Sequence, residues 1–448
     1  MNDPLRTKSL DPSLPSRRAV LRGAAALSLS GAAARAATLP GASSPSGDGS
    51  LVFVHLSGGL DGLVACTPLF EGAALAAQRP GLLVPTAASA GALRVPGGPA
   101  QPGDFALHPG LQPLAPALAA GELALVHAAG SADPTRSHFA ARDANGAGVP
   151  SAPGAMPAAD GWVARALAAL PERSAAAPRA LALGSTLPRA LRRAPRALRR
   201  APRALSVRDP RGFASYGISS TLAARRASLA SMLGGAFGAP GSGSGTGLQA
   251  EVERASRDAH AAIGALGAVD FDRTPAGGAA YPGSLLGRRM FDAATVLRSG
   301  LGTEVVYVDS GADWDDHDQM GPVTGGLAAR LADLGQALAA FRTDLGPAAF
   351  ARTTVAVFGE FGRRVDQNAS GGTDHGRGGA VLVLGGGVRG GSVLGAWPGL
   401  APAELDDGAL AVTTDLRSIL GELLAVSFGA ASVAPAFPGH VPARVGLV

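Results

Sequence analysis

Two short apolar runs on either side of a polar loop, within residues 353–388, constrain the fold most strongly. The first run reads Thr-Thr-Val-Ala-Val-Phe-Gly (residues 353–359), and the second, residues 380–384, reads Ala-Val-Leu-Val-Leu and precedes three glycines. Short β-branched runs bounded by glycine are typical of buried sheet strands. Ligands of open α/β sheets usually bind just beyond the carboxyl ends of strands, which makes the loop a candidate site. Its polar residues include Glu360, Arg363, Asp374 and His375.

The same pattern, an apolar run followed by polar residues, occurs at three earlier points of the chain. The runs are residues 51–56, 123–126 and 304–308, and an amphipathic helix is predicted over 327–341. Alternation of such strands with helices predicts an α/β sandwich with a mostly parallel sheet. The carboxyl ends of parallel strands meet at one edge of a sheet, so we expect the polar clusters to converge there.

The densest polar cluster, residues 309–318, contains five aspartates and one histidine. Carboxylates at this density repel one another unless a cation or bound protons compensate. Aspartate and histidine together are ligands for zinc, manganese or a related divalent ion, so the cluster predicts a metal site. The alternative is an acidic turn that caps the next helix. The single cysteine, Cys66, excludes an intramolecular disulfide and a zinc site built from cysteines.

A serine and a histidine, Ser137 and His138, follow the strand predicted at residues 123–126. A hydroxyl beside a histidine just past a strand is a candidate nucleophile near its activating partner. Ser137 is equally well placed to cap the N-terminus of the following helix. The two roles are compatible.

The net charge of +5 comes from a local repeat rather than from a basic domain. Residues 188–208 repeat a seven-residue unit that begins Pro-Arg-Ala-Leu, and seven arginines lie within residues 189–203; without these seven, the net charge would be −2. Proline at every seventh residue prevents a long basic helix, and aromatic residues do not accompany the charge, which argues against nucleic-acid binding. We predict a solvated loop insertion at 188–205; binding of anions or of a membrane surface is the alternative.

The first 37 residues are typical of an export signal. Residues 16–21 read Ser-Arg-Arg-Ala-Val-Leu, a twin-arginine pattern, and a weakly apolar run and an Ala-Arg-Ala cleavage site follow. The alternative is a disordered basic N-terminus. Residues 38–49 are predicted to be a linker and residues 50–448 a single domain with a helical insertion around 209–275. No segment approaches 18 uninterrupted apolar residues, so no permanent membrane span is expected.

The order of these motifs resembles a family of exported bacterial proteins known as domain of unknown function 1501. The motifs that carry the resemblance, besides the leader, are Gly58-Gly-x-Asp61-Gly, Arg136-Ser-His-Phe139, Trp314-Asp-x-His317, Glu360-Phe-Gly-Arg363 and Asp374-His375. The resemblance implies an alkaline-phosphatase-like three-layer sandwich. Relatives in that superfamily include phosphatases, sulfatases and cofactor-independent phosphoglycerate mutases, which use two metal ions and a serine or threonine nucleophile.

By this resemblance, Asp61 corresponds to the metal carboxylate after the first strand, and Ser137 occupies the nucleophile region. His317, with Asp315 or Asp313, corresponds to the ligands of one metal, and His375 to a late histidine ligand. The chain departs from the pattern where metal-dependent relatives carry Asp-His, because it has Glu360 followed by Phe361. Three outcomes remain open: a second metal site altered to use Glu360 and His138, a single metal, or a loss of catalysis.

The resemblance implies an exported hydrolase or transferase that acts on a phosphate or sulfate ester in the periplasm or outside the cell. A divalent ion (zinc, manganese or calcium) would be the cofactor, and Arg363 or Arg136 would pair with the anionic group. The expected partners are a small-molecule anionic ester and the twin-arginine export machinery. The alternative is an inactive exported binding or assembly protein. The predicted metal ligands are Asp61, Asp315, His317, Glu360, Asp374 and His375, with Asp313 and His138 as further candidates.

Overall fold

The structure, a computed structural model, describes residues 48–149, 160–174, 178–193, 204–211, 258 and 261–448. The predicted leader over residues 1–37 and most of the linker at 38–49 lie outside the described residues. Most of the helical insertion predicted around 209–275 lies outside them as well.

Strands and helices alternate along the described part of the chain. The strands are β1 (Ser50–Leu56), β2 (Cys66–Pro68), β3 (Leu93–Val95), β4 (Phe105–Leu107), β5 (Leu123–Gly130), β6 (Ala180–Leu183), β7 (Ala204–Val207), β8 (Val305–Asp309), β9 (Thr353–Gly359), β10 (Gly379–Gly385), β11 (Val393–Leu394) and β12 (Thr414–Asp415). The α-helices are α1 (Gly62–Ala65), α2 (Gly72–Gln78), α3 (Ala115–Ala119), α4 (His138–Ala147), α5 (Trp162–Ala168), α6 (Leu285–Arg298), α7 (Gly326–Phe350), α8 (Leu416–Phe428) and α9 (Val433–Ala436). Residues 261–267 are also helical.

Nine of these strands form the central sheet, in the order β11-β5-β10-β9-β1-β8-β6-β7, and β12 also pairs with β5. β10 runs antiparallel to β5 and β9, and every other pairing in the sheet is parallel. This confirms the predicted α/β class with a mostly parallel central sheet. β1, β5, β8 and β9 therefore end at the same edge, which we call the carboxyl edge, and the loop from β9 into β10 lies there too. β2, β3 and β4 form a separate antiparallel sheet.

The central strands are apolar because both faces of the sheet are covered. In β1, Val52 and Val54 belong to one buried cluster together with residues of α6 and α7. Leu51 and Phe53 point to the opposite face and belong to a second cluster with residues of α5 and α8. Alternate side chains of each strand are thus buried on opposite sides, which explains why these runs show little polar alternation.

The amphipathic helix predicted over residues 327–341 is confirmed as part of α7. Its apolar positions are all fully buried against the sheet: Leu327, Leu331, Leu334, Leu338 and Phe341. The helix continues to Phe350 through a kink at Gly346, where φ is 69° before Pro347. None of the helices among the described residues combines the length and the apolarity needed to cross a bilayer.

The segment predicted as an arginine-rich loop insertion is part of the fold at both of its ends. In the first repeat unit, Ala190 and Leu191 are buried, and Arg189 Nε lies 3.1 Å from a carboxylate oxygen of Asp143. In the last unit, residues 204–207 form the edge strand β7, paired with β6. The same Pro-Arg-Ala-Leu sequence thus forms a 3₁₀ turn at residues 189–191 and begins a strand at 204–207. The middle of the repeat, residues 194–203, lies outside the described residues.

Candidate metal centre

Four polar side chains converge at the carboxyl edge from three different connections. His138 is the first residue of α4, which follows β5. Asp315 and His317 lie in the connection that follows β8, and His375 lies in the loop between β9 and β10. His138, Asp315 and His375 form a group that could hold a metal ion, and His317 lies beside it. We call the four residues the metal centre, as a candidate site.

The candidate ligand atoms of His138, Asp315 and His375 lie within 4.8 Å of one another, and that of His317 lies next to those of His375 and Asp315. The Nε2 atom of His375 lies 2.9 Å from Nε2 of His138 and 2.9 Å from Nε2 of His317. Asp315 Oδ1 lies 3.1 Å from His375 Nε2 and 3.0 Å from His317 Nε2, and Asp315 Oδ2 lies 3.2 Å from His138 Nε2. Zinc–nitrogen bonds of about 2.0–2.1 Å place tetrahedral ligands about 3.3 Å apart, so this cluster has the dimensions of a metal site.

The other ring nitrogen of each histidine contacts an oxygen acceptor. Nδ1 of His138 lies 2.7 Å from a carboxylate oxygen of Glu360, and Nδ1 of His317 lies 3.1 Å from one of Asp374. Nδ1 of His375 lies 2.8 Å from the backbone carbonyl oxygen of Arg136. These acceptors require a proton on each Nδ1, which directs the lone pair of each neutral Nε2 towards the centre. Lone pairs that face one another at 2.9 Å need a cation or a proton between them.

The charges around the centre favour the forms of its ligands that bind metals. Burial raises the pKa of Asp315, but the hydrogen bond and the positive charge of Arg363, together with His317 and His138, outweigh this and hold the pKa below its usual value. Burial also lowers the pKa of His375, which favours the neutral imidazole. A deprotonated carboxylate and a neutral imidazole are the species that coordinate a metal.

Arg363 supports the centre from the interior of the protein. Its side chain is 1% exposed, and one of its terminal nitrogens lies 2.5 Å from Asp315 Oδ1. Its N–H groups also donate to backbone carbonyl oxygens of Gly58, Gly59, Trp314 and Thr373. The guanidinium is therefore occupied in positioning Asp315 and the surrounding loops, which leaves it no free edge for the substrate role predicted from the sequence.

Comparison with models of protein families shows the family of this chain. A family model described as "Protein of unknown function (DUF1501)" matches residues 93–416. The chain belongs to this family. The matched range covers most of the chain and contains every residue of the metal centre. No curated protein and no solved structure matches the chain.

The structure places Asp61 of this DUF1501 protein away from the metal centre, in a buried ion pair. Both Asp61 oxygens accept from Arg79, at 2.9 and 3.1 Å, and both side chains are 2% exposed. Asp61 also caps α1 through the backbone N–H of Val64 and accepts from the hydroxyl of Thr373. With these bonds, Asp61 ties the first loop of the carboxyl edge to the loop that carries His375.

The other predicted ligands are Glu360, Asp374, Asp313 and His138, and the first three contact residues of the centre. Glu360 and Asp374 accept from the Nδ1 atoms of His138 and His317, a position from which they orient the two rings. Asp313 accepts from the backbone N–H of Asp315 at 3.0 Å and shapes the turn. His138, which the sequence offered as a further candidate, lies in the centre itself.

Phe361, the residue after Glu360, packs against two histidine rings of the centre. Its ring centroid lies 4.8 Å from that of His138 and 5.1 Å from that of His375. The phenyl ring therefore forms an apolar wall against two ligand rings. A side chain that cannot coordinate a metal thus packs against the centre at this position.

The two remaining predicted catalytic residues, Ser137 and Arg136, directly precede His138 of the metal centre. Ser137 occupies the N-cap position of α4, is exposed, and makes no capping hydrogen bond with its side chain. Arg136 lies 2.8 Å from a carboxylate oxygen of Asp407 and donates to the backbone carbonyls of residues 406 and 407. The contribution of Arg136 to the centre is its carbonyl oxygen, which accepts from His375.

Replacing Asp374 with alanine should weaken zinc binding by about tenfold to a hundredfold without unfolding the protein. Asp374 is half-exposed and orients His317, and the loss of such an outer partner typically costs this much affinity. The matched control is Asp318→Ala, which removes an exposed carboxylate from the acidic segment that carries His317. Competition with a chromogenic chelator measures both affinities, and equal values for the two variants would contradict the orienting role of Asp374.

Proposed function

We propose that this DUF1501 protein is an exported metal-dependent hydrolase or transferase that acts on a phosphate or sulfate ester. The observation that carries the proposal is the convergence of three imidazole nitrogens and a carboxylate, each imidazole backed by an oxygen acceptor on Nδ1. The site lies at the carboxyl edge of a mostly parallel sheet, where α/β enzymes bind their ligands.

The donor set favours zinc among the ions considered from the sequence. Three imidazoles with one carboxylate suit zinc, whereas calcium takes six to eight oxygen ligands. A divalent cation held by these residues supplies a Lewis acid that stabilises negative charge on an ester oxygen, an effect worth several kcal/mol. The side chain of His317 is 42% exposed, so the centre is open to a ligand from solvent.

Ser137 is the proposed nucleophile, because its exposed hydroxyl directly precedes a ligand histidine at the start of α4. Attack by a water molecule is the alternative. The motif order that resembles the alkaline-phosphatase-like superfamily supports the ester substrate, and a mostly parallel sheet with helices on both faces supports that fold. The twin-arginine pattern at residues 16–21 supports export to the periplasm or beyond.

A second candidate function is an exported binding or assembly protein that holds a structural metal. Four protein ligands can fill a tetrahedral shell, which is typical of structural zinc sites, whereas catalytic zinc sites usually have three protein ligands and an open position. The packing of Phe361 against two ligand rings also fits a site built for rigidity.

Hydrolysis of aryl phosphate and aryl sulfate esters by the zinc-loaded protein separates the two candidates. The hydrolase proposal predicts turnover that chelation abolishes, zinc restores, and Ser137→Ala lowers by about a hundredfold or more if the serine is the nucleophile. Stoichiometric zinc without turnover of either ester class, together with a melting temperature that falls on chelation, would instead support the structural role.

A further inference from the structure

The helix that carries His138 also carries a cation on the same face. Arg142 lies four residues after His138 in α4, so the two side chains are neighbours on the helix surface. Nε of Arg142 donates to the carbonyl oxygen of His138 at 3.2 Å. The same Nε lies 3.9 Å from the Glu360 oxygen that contacts Nδ1 of His138. The guanidinium therefore contacts the backbone of His138 and lies near Glu360, which in turn contacts the His138 ring.

Arg142 is a partly exposed arginine of the carboxyl edge whose charge is not closely paired with a carboxylate. Its shortest approach to a carboxylate is the 3.9 Å contact with Glu360, and its side chain is 37% exposed. Five other arginines of this edge pair with a carboxylate at 3.1 Å or less: Arg136 with Asp407, Arg330 with Asp316, Arg363 with Asp315, Arg364 with Asp366 and Arg377 with Asp406. Arg289 also lies 3.9 Å from its nearest carboxylate, that of Asp309, but its side chain is only 7% exposed, so of these two arginines Arg142 is the one that a ligand from solvent can reach.

A hydroxyl lies beside this charge. Nη1 of Arg142 donates to Ser57 Oγ at 3.0 Å, which leaves the hydroxyl hydrogen of Ser57 free to donate to another acceptor. The backbone carbonyl of Ser57 accepts from the N–H of Trp314 at 2.8 Å, next to the ligand Asp315. Gly58 makes this approach possible, because its φ is 118° and a Cβ there would lie 2.3 Å from the backbone nitrogen of Asp315. Ser57 and Arg142 therefore join the His138 side of the centre to the Asp315 side.

A neighbouring aromatic ring limits the freedom of the guanidinium. The Cζ atom of Arg142 lies 5.2 Å from the ring centroid of Phe139, whose side chain projects into solvent with 81% of the residue exposed. Such a cation–π contact, together with the hydrogen bonds to His138 and Ser57, holds the charged group in a defined position before any ligand arrives.

We propose that Arg142 and Ser57 bind the oxyanion of a phosphate or sulfate monoester whose other oxygens face the metal centre. This inference rests on the proposed function and assigns the anion-binding role, which the sequence had given to Arg363 or Arg136, to a different pair. A guanidinium donates to a tetrahedral oxyanion through its N–H groups, and the Ser57 hydroxyl supplies a further donor. The ligand class is therefore a monoester with at least two unsubstituted anionic oxygens.

Calorimetric titration of the zinc-loaded protein with inorganic phosphate tests this pair. Arg142→Met should raise the Kd for phosphate by about tenfold or more while zinc content and melting temperature stay close to wild type. Arg142→Lys should recover part of the affinity, since it keeps the charge but loses the planar fork. Ser57→Ala should cause a smaller loss. Arg364→Met is the matched control, because it removes an arginine of the same edge that is bonded to Asp366.

The outcomes separate this inference from the proposed function. Equal phosphate affinity in Arg142→Met and wild type, with zinc retained in both, would overturn the anion-binding role and leave the hydrolase proposal standing. The anion-binding role is also overturned if the zinc-loaded wild type binds no phosphate, or if Arg364→Met weakens binding as much as Arg142→Met. Failure of the wild type to hold zinc would remove the proposed function itself.

Discussion

Replacing His375 with alanine is expected to weaken zinc binding by more than about a hundredfold, beyond the usual cost of losing an outer partner. His375 contributes the ligand atom that lies close to all the others, 2.9 Å from Nε2 of both His138 and His317 and 3.1 Å from Asp315. Removing its ring deletes the ligand atom that lies next to those of both His138 and His317. The zinc content after gel filtration and the affinity from chelator competition measure the effect.

The matched control for this variant is His440→Ala. His440 lies outside the metal centre and its ring contacts the hydroxyl of Ser418 at 3.2 Å, so its removal deletes an imidazole without touching a ligand. We expect zinc binding by His440→Ala to equal that of the wild type. A His375→Ala protein that stays folded and binds one zinc with wild-type affinity would show that these four side chains are not the ligands.

Replacing Arg363 with methionine is expected to lower the free energy of unfolding by about 3–5 kcal/mol, because it breaks a buried charged network from one side. The guanidinium satisfies four backbone carbonyls and Asp315, and methionine offers none of these donors. Buried carbonyls without a donor add their own desolvation cost. Urea unfolding of the zinc-free protein, where metal binding does not contribute, measures the change.

The adjacent residue supplies the control for this prediction. Arg364 is partly exposed, lies 3.0 Å from the half-exposed Asp366, and donates to the carbonyl of Asp407. Exposed ion pairs contribute about 0–1 kcal/mol, so Arg364→Met should cost no more than that. Similar losses in the two variants would contradict the view that Arg363 is the internal support of the site.

The fold could be predicted from the sequence where the signal is local. The apolar runs before Asp309, Glu360 and Gly385 became β8, β9 and β10, because both faces of those strands are buried and the sequence shows it directly. The direction of β10 was not predictable in this way, since an apolar run is the same for parallel and antiparallel pairing. The first and last units of the arginine repeat were expected in a solvated loop, but their alanines and leucines pack or pair as strand.

In the candidate site, too, local patterns in the sequence could be read, but contacts between distant residues could not. Asp315, His317 and His375 could be found from the density of acids and histidines after strands, and the structure brings these three together. Asp61 looked equivalent, yet a cation outside its motif decides its role: Arg79 binds both of its oxygens. Such a pairing is invisible in a run of residues. The position of Arg142 one turn after His138 was the missed signal, since this spacing aligns two side chains on one helix face.

Metal analysis of the purified protein tests whether His138, Asp315, His317 and His375 bind a metal ion together. We expect a ratio of about one divalent ion per chain, zinc in preference to calcium, because the ligand atoms of His138, Asp315 and His375 lie close enough together to share one ion and His317 adjoins them. A protein that holds no metal, even after reconstitution with zinc, manganese and calcium, would contradict the claim.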